Sequence, residues 1–541
     1  GVLASWFGGK ADYRAIEFPV LINAAPRRHA VVLATPDTHY DFLPNLKING
    51  PGVEMRSLPV KGREYIKLLV IKGRNDHELM AAATTLVSGQ AALAGDKVDF
   101  DKTVTPARRK PYDAPRWLKD GEKTYFSELE PPQGFTQYGI APDRIDIHFR
   151  LAPDLFNWRS DEIPVAIRYA YSDLPLDRES SLDLLLDGEW VKSLRLETSA
   201  TPPEPVQTPN GSQYPIRQIE DSGSMFIKTY KLAGLNTLSL YYNIQLPDEA
   251  ARTCASLYTD NMKTRIDSDS HFDLTNWTHY ARMPDNAKFA NIGYPFTRLA
   301  DLSETAVILP KSPKSEEISV MLGVLGKLSA ASGYPAFRVS VLFPAQAADA
   351  TERDIILIGG DDRQSLIDEW RDSMPIVRTT DGYWKVRPLD FWTRAKLWWK
   401  GEKSAHVPDA KRILTDVGPN LVMVSSFESP LTANRTTLLL SASRPHEYRQ
   451  ITDALNTPDR IARFQGDLTV LQNGRVDSFR LAPSYYVGHL PWLTWVRWYL
   501  SHHIMALLLL FTSVILGMSL ITKIMLKNHA ENRFRFGPKP G

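Results

Sequence analysis

Short apolar runs alternate with a helical pattern in the first hundred residues of the chain. The runs at 29–35 and 65–71 have the length of buried strands. Asn75 is placed to cap a helix that Gly89 ends, because apolar residues recur between them at helical spacing. Alternation of strands with helices favours a parallel sheet, so residues 1–105 are predicted to form an α/β domain.

Period-two alternation replaces this pattern after a segment rich in proline and basic residues at 106–115, which has the composition of a linker. Turn-forming residues separate the alternating runs that follow. These runs lie at 144–151, 164–171, 181–186 and 237–246. Short strands at this spacing predict a β-sandwich over residues 106–283.

An α/β pattern returns after residue 283. Apolar positions at helical spacing predict a helix over 316–331, with strand-like runs on both sides of it. These runs lie at 304–309, 337–343, 354–360, 420–425 and 436–441. Residues 284–484 are therefore predicted to form a second α/β domain. Because neither α/β segment contains a phosphate-binding glycine loop, both are typical of a flavodoxin-type fold.

Uncharged residues fill all 19 positions between Ile504 and Thr522. A helix of about this length crosses the ~30 Å hydrocarbon core of a bilayer. The alternative is a buried helix of a soluble protein, but basic and aromatic residues flank this run as they flank a membrane span. The pattern predicts a single transmembrane helix over residues 504–526 and a cytoplasmic basic tail over 527–541.

The basic residues around this run predict its orientation. Five of them follow it, whereas the 19 residues before it contain only Arg497. The five are Lys523, Lys527, Arg533, Arg535 and Lys539. Since positive charge is enriched on the cytoplasmic side, the C-terminus is predicted to be cytoplasmic and everything before Ile504 to lie outside.

Aromatic residues predict two helices at the membrane surface. In the first, over residues 485–503, an aromatic belt is formed by Trp492, Trp495, Trp498 and Tyr499. In the second, at 388–400, Trp392, Trp398 and Trp399 lie among basic residues. For the second segment, a surface helix packed on its own domain is an equal alternative.

Composition and motifs exclude several functions. The net charge of +2 gives no reason to expect a nucleic-acid partner. The single cysteine, Cys254, can form neither an intrachain disulfide nor a multi-cysteine zinc site. No serine-hydrolase elbow, zinc-protease helix or nucleotide-binding loop is present. The pair Asp361–Asp362 could serve glycoside hydrolysis, but exposed loop acids are the simpler interpretation. We therefore expect no catalytic residue, no metal and no cofactor.

Aromatic residues of the β-rich segment are candidates for contact with sugar rings, whose apolar C–H faces stack on flat rings. These candidates are Trp158, Trp190, Trp277, Tyr241 and Tyr242. Because neighbouring positions of a strand face opposite sides, one tyrosine of the adjacent pair should face outward. For most of the five a core position is the favoured interpretation, and Trp158 is the best exposed candidate because it lies between strand-like runs.

Several longer strings of residues resemble one family, the periplasmic B subunit of bacterial cellulose synthase. They run from residue 4 to residue 492 and so cover nearly the whole chain. The strings are ASWFG at 4–8, RKPYDAP at 109–115, FANIGYPF at 289–296, RLADL at 298–302 and YYVGHLPW at 485–492.

The resemblance implies flavodoxin-like α/β domains on both sides of a carbohydrate-binding β-sandwich (jelly roll), then an interface helix and a transmembrane helix. It also implies a signal peptide and another carbohydrate-binding domain ahead of residue 1, so we expect the family's full chain to be longer. The Trp-rich segment at 388–400 matches nothing in the family pattern.

The resemblance further implies a non-catalytic subunit in the bacterial inner membrane, with its bulk in the periplasm. Its partners would be the catalytic subunit of cellulose synthase and the nascent cellulose chain, and self-association is left open. The family is also named for cyclic di-GMP binding. However, the sequence lacks an Arg-x-x-x-Arg motif paired with Asp-x-Ser-x-x-Gly, which favours placing the nucleotide on the catalytic partner. The alternatives are a membrane-tethered glycan-processing enzyme and, more weakly, a nucleotide sensor.

Overall fold

The computed structural model contains two compact units, which are residues 1–386 with 406–488, and residues 387–405 with 489–541. It describes residues 1–11, 14–44, 46–173, 176–197, 206–208, 211–213, 218–229, 232, 234–245, 262–379, 381–391, 394, 397, 407–472 and 474–535. Cys254 and three of the predicted interface residues, Trp392, Trp398 and Trp399, lie outside these described residues.

A four-stranded sheet and two helices form the first α/β segment. The helices are α1 (Val2–Gly9) and α2 (Asp76–Ser88), and the strands are β1 (Ala30–Ala34), β2 (Gly52–Ser57), β3 (Lys67–Lys72) and β4 (Lys97–Asp99). The predicted start and end of α2 are confirmed. The Asn75 side chain accepts a hydrogen bond from the Glu78 N–H, and Gly89 adopts a φ of 67°.

The expectation of a parallel sheet in this segment is confirmed for the two predicted strands and was wrong for the sheet as a whole. The strand order is β1-β3-β2-β4, and only the β1–β3 pair is parallel. The strand β2, which the sequence pattern did not reveal, lies between β3 and β4 and runs antiparallel to both. A strand inserted in this way makes the sheet mixed, although the two predicted strands do pair in parallel.

Two antiparallel sheets form the body of the middle segment. Its strands are β5 (Lys123–Tyr125), β6 (Thr136–Tyr138), β7 (Ile145–Arg150), β8 (Leu155–Phe156), β9 (Glu162–Ser172), β10 (Ser181–Leu186), β11 (Glu189–Arg195), β12 (Val206–Thr208), β13 (Gly211–Gln213), β14 (Gln218–Lys228), β15 (Leu235–Asn243), β16 (Lys263–Ile266), β17 (His271–Asp273) and β18 (Thr278–Met283). A short helix, α3 (Phe126–Leu129), and a 3-10 turn, Pro132–Phe135, follow β5. Outside the two sheets, β12 pairs with β13 and β8 pairs with β18.

The two sheets share one apolar core. One sheet has the order β11-β10-β15-β7, and the other has the order β5-β17-β9-β16-β6, with β14 also paired to β9. Alternate residues of both sheets point into the core, among them Leu184 and Leu240 of the first and Val165 and Ile167 of the second. The opposite side chains of the first sheet are therefore left on an outer surface.

A seven-stranded sheet forms the second α/β segment. Its elements are α4 (Asn286–Ile292), β19 (Thr305–Ile308), α5 (Ser315–Ser332), β20 (Ser340–Leu342), β21 (Asp354–Ile358), α6 (Leu366–Glu369), β22 (Ile376–Arg378), β23 (Trp384–Val386), α7 (Val407–Val417), β24 (Val422–Glu428), β25 (Thr436–Ala442), α8 (Tyr448–Leu455), α9 (Pro458–Ile461), β26 (Leu468–Gln472) and β27 (Arg475–Phe479), with 3-10 turns at Phe296–Arg298, Pro344–Ala350 and Pro445–Glu447.

The order of this sheet is β20-β19-β21-β25-β24-β26-β27, and β22 and β23 form a separate hairpin. Strands β20, β19, β21 and β25 are parallel, while β24, β26 and β27 pair antiparallel. Apolar clusters cover both faces of the sheet. The N-terminal helix α1 packs against α5, where a Cβ at Gly8 would lie 2.3 Å from the Gly326 Cα. Only glycine at position 8 allows this approach of the two helices.

The predicted linker is fixed in place by its contacts. The Tyr112 ring stacks on the His279 ring, with centroids 3.5 Å apart and an angle of 9° between the planes. The Tyr112 hydroxyl donates a hydrogen bond to the buried Asp154 carboxylate. The backbone N–H of Tyr112 donates to the Arg298 carbonyl oxygen at 2.8 Å. His279 Nδ1 lies 3.0 Å from Asp154 Oδ1, and its Nε2 lies 3.3 Å from Asp120 Oδ1. Tyr112 thus joins the sandwich to the second α/β segment.

The described residues of the second unit include the helices α10 (Trp492–His502) and α11 (Ile504–Arg535). The expectation that the interface helix begins at 485 was wrong, because Tyr485–Gly488 is a strand, β28, that pairs with β18. The stretch Ile504–Glu531 is long and apolar enough to cross a membrane. At 1.5 Å per residue the 32 residues of α11 extend for about 48 Å, so part of the predicted tail continues the helix beyond a ~30 Å core.

We predict that protonated His279 stabilises the contact between Tyr112 of the linker and the sandwich. Burial alone would lower the pKa of His279, but the carboxylates of Asp154 and Asp120 raise it above the ordinary value of 6.5. Because the folded-state pKa is raised, the stabilisation is fully present below pH 6.5 and is lost as the pH rises through the folded-state pKa. The free energy of unfolding should fall over that window by at most about 1.4 kcal/mol per pH unit.

Thermal unfolding of the detergent-solubilised chain at several pH values measures this effect. The difference between the wild type and His279→Gln should shrink as the pH rises above 6.5. His77→Gln, which removes an exposed imidazole at the start of α2, is the matched control. A wild-type and a His279→Gln protein with parallel pH profiles would show that the histidine does not act in this way.

Candidate functional site: an aromatic sheet surface

The outer surface of the sheet β11-β10-β15-β7 carries two of the five predicted sugar-contact residues. Trp190 on β11 is 65% exposed, and Tyr241 on β15 is 38% exposed. Trp190 is paired with Leu185 and Tyr241 with Asp183, and these two residues of β10 face the same side of the sheet. The structure therefore brings Trp190 and Tyr241 together on one surface, which we call the aromatic sheet surface.

Strand spacing sets the distance between the two rings. Trp190 and Tyr241 are separated by two inter-strand steps of about 4.8 Å and an offset of two residues of about 3.4 Å each. Their Cα atoms are thus roughly 12 Å apart along a diagonal of the sheet. More than one ring of a linear sugar polymer would be needed to contact both side chains.

A hydrogen bond within β11, continued by one to β10, holds the Trp190 ring in position. The indole N–H donates to Ser193 Oγ at 3.0 Å, and the Ser193 hydroxyl donates in turn to Asp183 Oδ1. Ser181 Oγ donates to the same carboxylate oxygen at 2.8 Å. Asp183 therefore connects the two hydroxyls to the strand position next to Tyr241, and a carboxylate has the capacity to accept further hydrogen bonds from ligand hydroxyls.

A second carboxylate extends the polar part of this surface. Asp146 on β7 accepts a hydrogen bond from Ser239 Oγ at 2.6 Å and forms an ion pair with Arg144, whose Nε lies 2.8 Å from Asp146 Oδ1. Ser239 is paired with Leu185, so this group lies in the same strand row as Trp190. Rings beside fixed carboxylates and hydroxyls can bind a ligand that has both apolar faces and hydroxyl groups.

Two other predicted sugar-contact residues face the core, so their assignment as sugar contacts is corrected. Trp277 is 4% exposed and Tyr242 is 1% exposed. The Tyr242 hydroxyl donates to the Arg265 carbonyl oxygen at 2.8 Å, which satisfies it inside the core. Since Tyr241 and Tyr242 occupy successive positions on β15, burial of one places the other outside.

Trp158, the fifth candidate, is exposed but lies elsewhere. It follows β8, in the loop that leads to β9, and neither strand belongs to the sheet that carries Trp190.

Sequence reasoning missed the polar partners Asp183 and Ser193. Alternation in β10 could have placed Asp183 outward. The bond from Trp190 to Ser193 could not be foreseen, because the irregular register between Leu184 and Leu185 brings these two residues, three apart on β11, to the same face.

The predicted membrane-interface residues divide in a similar way on α10. Trp492 and Trp495 are exposed, and the Trp495 ring stacks on the Tyr499 ring with centroids 5.2 Å apart. Trp498, by contrast, is only 6% exposed and stacks on His502. A buried indole cannot contact lipid headgroups, so the assignment of Trp498 to the interface is corrected.

The acid pair considered for hydrolysis is engaged with arginines. Asp361 Oδ2 lies 2.8 Å from an Arg363 nitrogen, and Asp362 Oδ1 lies 2.6 Å from Arg378. Burial alone would raise the pKa of Asp361, but hydrogen bonds from Arg363 bring that pKa below its usual value. A carboxyl with a lowered pKa is a poor general acid. Within the described part of the chain, no group of three histidine, cysteine or acidic side chains is arranged to hold a metal ion.

Three domain families match successive parts of the chain. Residues 1–100 match "Cellulose synthase BcsB, first FD domain", and residues 123–271 match "Cellulose synthase BcsB, second CBM domain". Residues 279–440 match "Cellulose synthase BcsB, second FD domain". The aromatic sheet surface lies within the second of these matches.

Curated relatives extend the similarity to nearly the whole chain. A "Cyclic di-GMP-binding protein" from Xanthomonas axonopodis pv. citri is 33% identical over 99% of this chain and 68% of the relative. A protein of the same name from Pseudomonas fluorescens is 31% identical over 97% of this chain and 69% of the relative. "Cellulose synthase 1" from Komagataeibacter xylinus is 27% identical over 99% of this chain and 35% of its own length.

This chain thus spans about two thirds of the length of the first two relatives. The three domain matches follow one another in order, and the similarity to the relatives continues to the C-terminal apolar helix. The chain belongs to the BcsB family, the accessory subunit of cellulose synthase.

Proposed function

We propose that this chain is a non-catalytic, membrane-anchored subunit that presents the aromatic sheet surface to the nascent β-1,4-glucan. The observation that carries the proposal is the joint exposure of Trp190 and Tyr241 beside Asp183. A glucose ring in a β-1,4 chain offers an apolar face to an aromatic ring and hydroxyls to a carboxylate. Such contacts are individually weak, which suits a polymer that has to move past the subunit.

The membrane anchor supplies the second part of the proposal. We infer that α11 crosses the bacterial inner membrane with its C-terminus in the cytoplasm, since basic residues follow the apolar stretch. The bulk of the chain then lies in the periplasm, where the glucan emerges. In this orientation α11 packs against the membrane helices of the catalytic subunit and holds them in an active arrangement.

The proposal also assigns a fold type to each segment. We assign residues 1–105 and 284–484 to flavodoxin-like domains, because helices and partly parallel sheets recur in both. We assign residues 106–283 to a jelly-roll carbohydrate-binding domain, because its two antiparallel sheets share a core.

The rival function is a tethered glycan-processing enzyme. It requires two carboxyls, one of which has a raised pKa and serves as the acid. The arginine pairs at Asp361 and Asp362 favour a structural role for those acids instead. Changing both aspartates to asparagine discriminates the two functions, because only a hydrolase would then lose its turnover of glycan.

Cyclic di-GMP binding is the second candidate function, favoured by the names of the relatives. The nucleotide is made in the cytoplasm, whereas the proposed orientation puts most of this chain outside. We therefore propose that the assembled complex binds the nucleotide through its catalytic subunit.

Removal of either exposed ring should weaken binding to cellulose. We expect Trp190→Ala and Tyr241→Ala each to lower the affinity for amorphous cellulose roughly two- to tenfold, the loss of one aromatic contact. Binding isotherms of the detergent-solubilised chain measure this. Tyr65→Ala, which removes an exposed tyrosine of the first α/β segment, is the matched control. Equal affinities for all four proteins would contradict a role for the aromatic sheet surface.

Replacement of α11 should abolish glucan synthesis by the complex. We expect a chain whose residues 504–535 are replaced by an unrelated apolar helix of equal length to insert into membranes but not to support synthesis, because specific packing on the catalytic subunit is lost. Incorporation of glucose from UDP-glucose measures this, with alkaline extraction as the control for insertion. Full activity of the exchanged chain would show that α11 serves only as a tether.

A further inference from the structure

A cavity of about 300 Å³ lies where the first α/β segment, the linker and the second α/β segment meet. Ser88 and Gln90 line it from the end of α2, Arg108 and Arg109 from the linker, and Tyr334 and Phe337 from the turn after α5. This volume is at the lower end of the range of about 300–1,000 Å³ for small-molecule sites. We call this cavity the junction cleft.

Two aromatic rings form an apolar wall of the junction cleft. Tyr334 and Phe337 meet edge to face, with centroids 5.5 Å apart and an angle of 74° between the planes. The Arg109 guanidinium lies 4.8 Å from the centre of the Tyr334 ring, and Ser329 Oγ donates to the Tyr334 carbonyl oxygen at 2.8 Å. These contacts fix the wall without a ligand, which reduces the ordering that binding would require.

The charges of the junction cleft favour a neutral ligand. Arg109 forms an ion pair with Asp113, with 3.1 Å between Nε and Oδ1, and its charge also faces the Tyr334 ring. Arg108 is exposed and adds one positive charge, and Gln90 adds a neutral amide. Sites for phosphate groups usually present several available cations or backbone N–H groups to one ligand. Arg109 is already paired with the Asp113 carboxylate, so it is not an available cation for a phosphate group.

We propose that the junction cleft is a second saccharide site, which takes a short segment of β-1,4-glucan. One sugar face contacts the Phe337 ring, and the sugar hydroxyls bond to the Gln90 amide and the Arg108 guanidinium. The inference rests on the proposed function for the class of ligand, but on none of the residues of the aromatic sheet surface. The polymer would then have contacts both on the sandwich and between the two α/β segments.

The test uses the full detergent-solubilised chain with Trp190→Ala and Tyr241→Ala combined, so that the first surface is removed. Calorimetric titration with cellohexaose should still show binding to this double variant. Adding Phe337→Ala should weaken that residual binding roughly two- to tenfold. Phe343→Ala, which removes an exposed phenylalanine that does not line the cleft, is the matched control and should leave the binding unchanged. Arg108→Ala should also weaken it, and this exposed change tests the cleft even if Phe337→Ala fails to fold.

The possible failures are distinguishable. Loss of all cellohexaose binding in the double variant would overturn the cleft site and leave the proposed function intact. Equal binding of the Phe337→Ala, Arg108→Ala and Phe343→Ala chains would also overturn it. Displacement of cellohexaose from the double variant by inorganic phosphate or cyclic di-GMP would show that the cleft prefers anions, and this too would overturn the saccharide site. A wild-type chain without any cellohexaose binding would contradict the proposed function itself.

Discussion

The contact of Tyr112 with Asp154 and His279 is the interaction on which the arrangement of the large unit depends. Tyr112 belongs to a proline-rich connector that has few apolar residues of its own. Its hydroxyl and ring are both engaged with the sandwich, while its backbone N–H is bonded to the second α/β segment. Because these bonds are made by a single residue, the connector cannot move relative to one segment without breaking contacts to the other. The same connector supplies Arg108 and Arg109 to the junction cleft.

A rigid sandwich also explains how weak sugar contacts can have a defined geometry. Core residues such as Leu184, Leu240 and Tyr242 fix the strands that carry Trp190 and Tyr241 on their outer side. Ordering a free side chain on binding costs free energy, and the bond from Trp190 to Ser193 meets part of that cost in advance. Asp183 couples this bond to the neighbouring strand, so the ring and the carboxylate are presented together.

Much of the local structure follows from the spacing of apolar residues. The strand predicted at 181–186 is observed as Ser181–Leu186, and the helix predicted at 316–331 is observed as Ser315–Ser332. Pairing between distant strands does not follow from such spacing. Nothing in the aromatic run that begins at Tyr485 indicates that its first four residues pair with Thr278–Met283, about 200 residues earlier. The insertion of β2 into the first sheet was hidden for the same reason.

The candidate site shows the same limit at the level of single side chains. Alternation predicted that one of Tyr241 and Tyr242 faces outward, and the structure shows that it is Tyr241, because Tyr242 points into the core with Leu238 and Leu240. Nothing in the sequence pattern distinguishes Trp277 from Trp190. Their exposure differs because Trp277 packs into the shared core, while Trp190 lies on an edge strand. The family resemblance supplied the class of function, and the fold supplied the surface.

The most direct test of the account is glucose incorporation from UDP-glucose into insoluble glucan by the purified catalytic subunit, with and without this chain. An accessory subunit that supports the synthase should be required, so we expect synthesis only when the chain, including α11, is present. Equal synthesis without the chain would contradict the account. Its role would then be sought in glycan binding or processing that is independent of the polymerase.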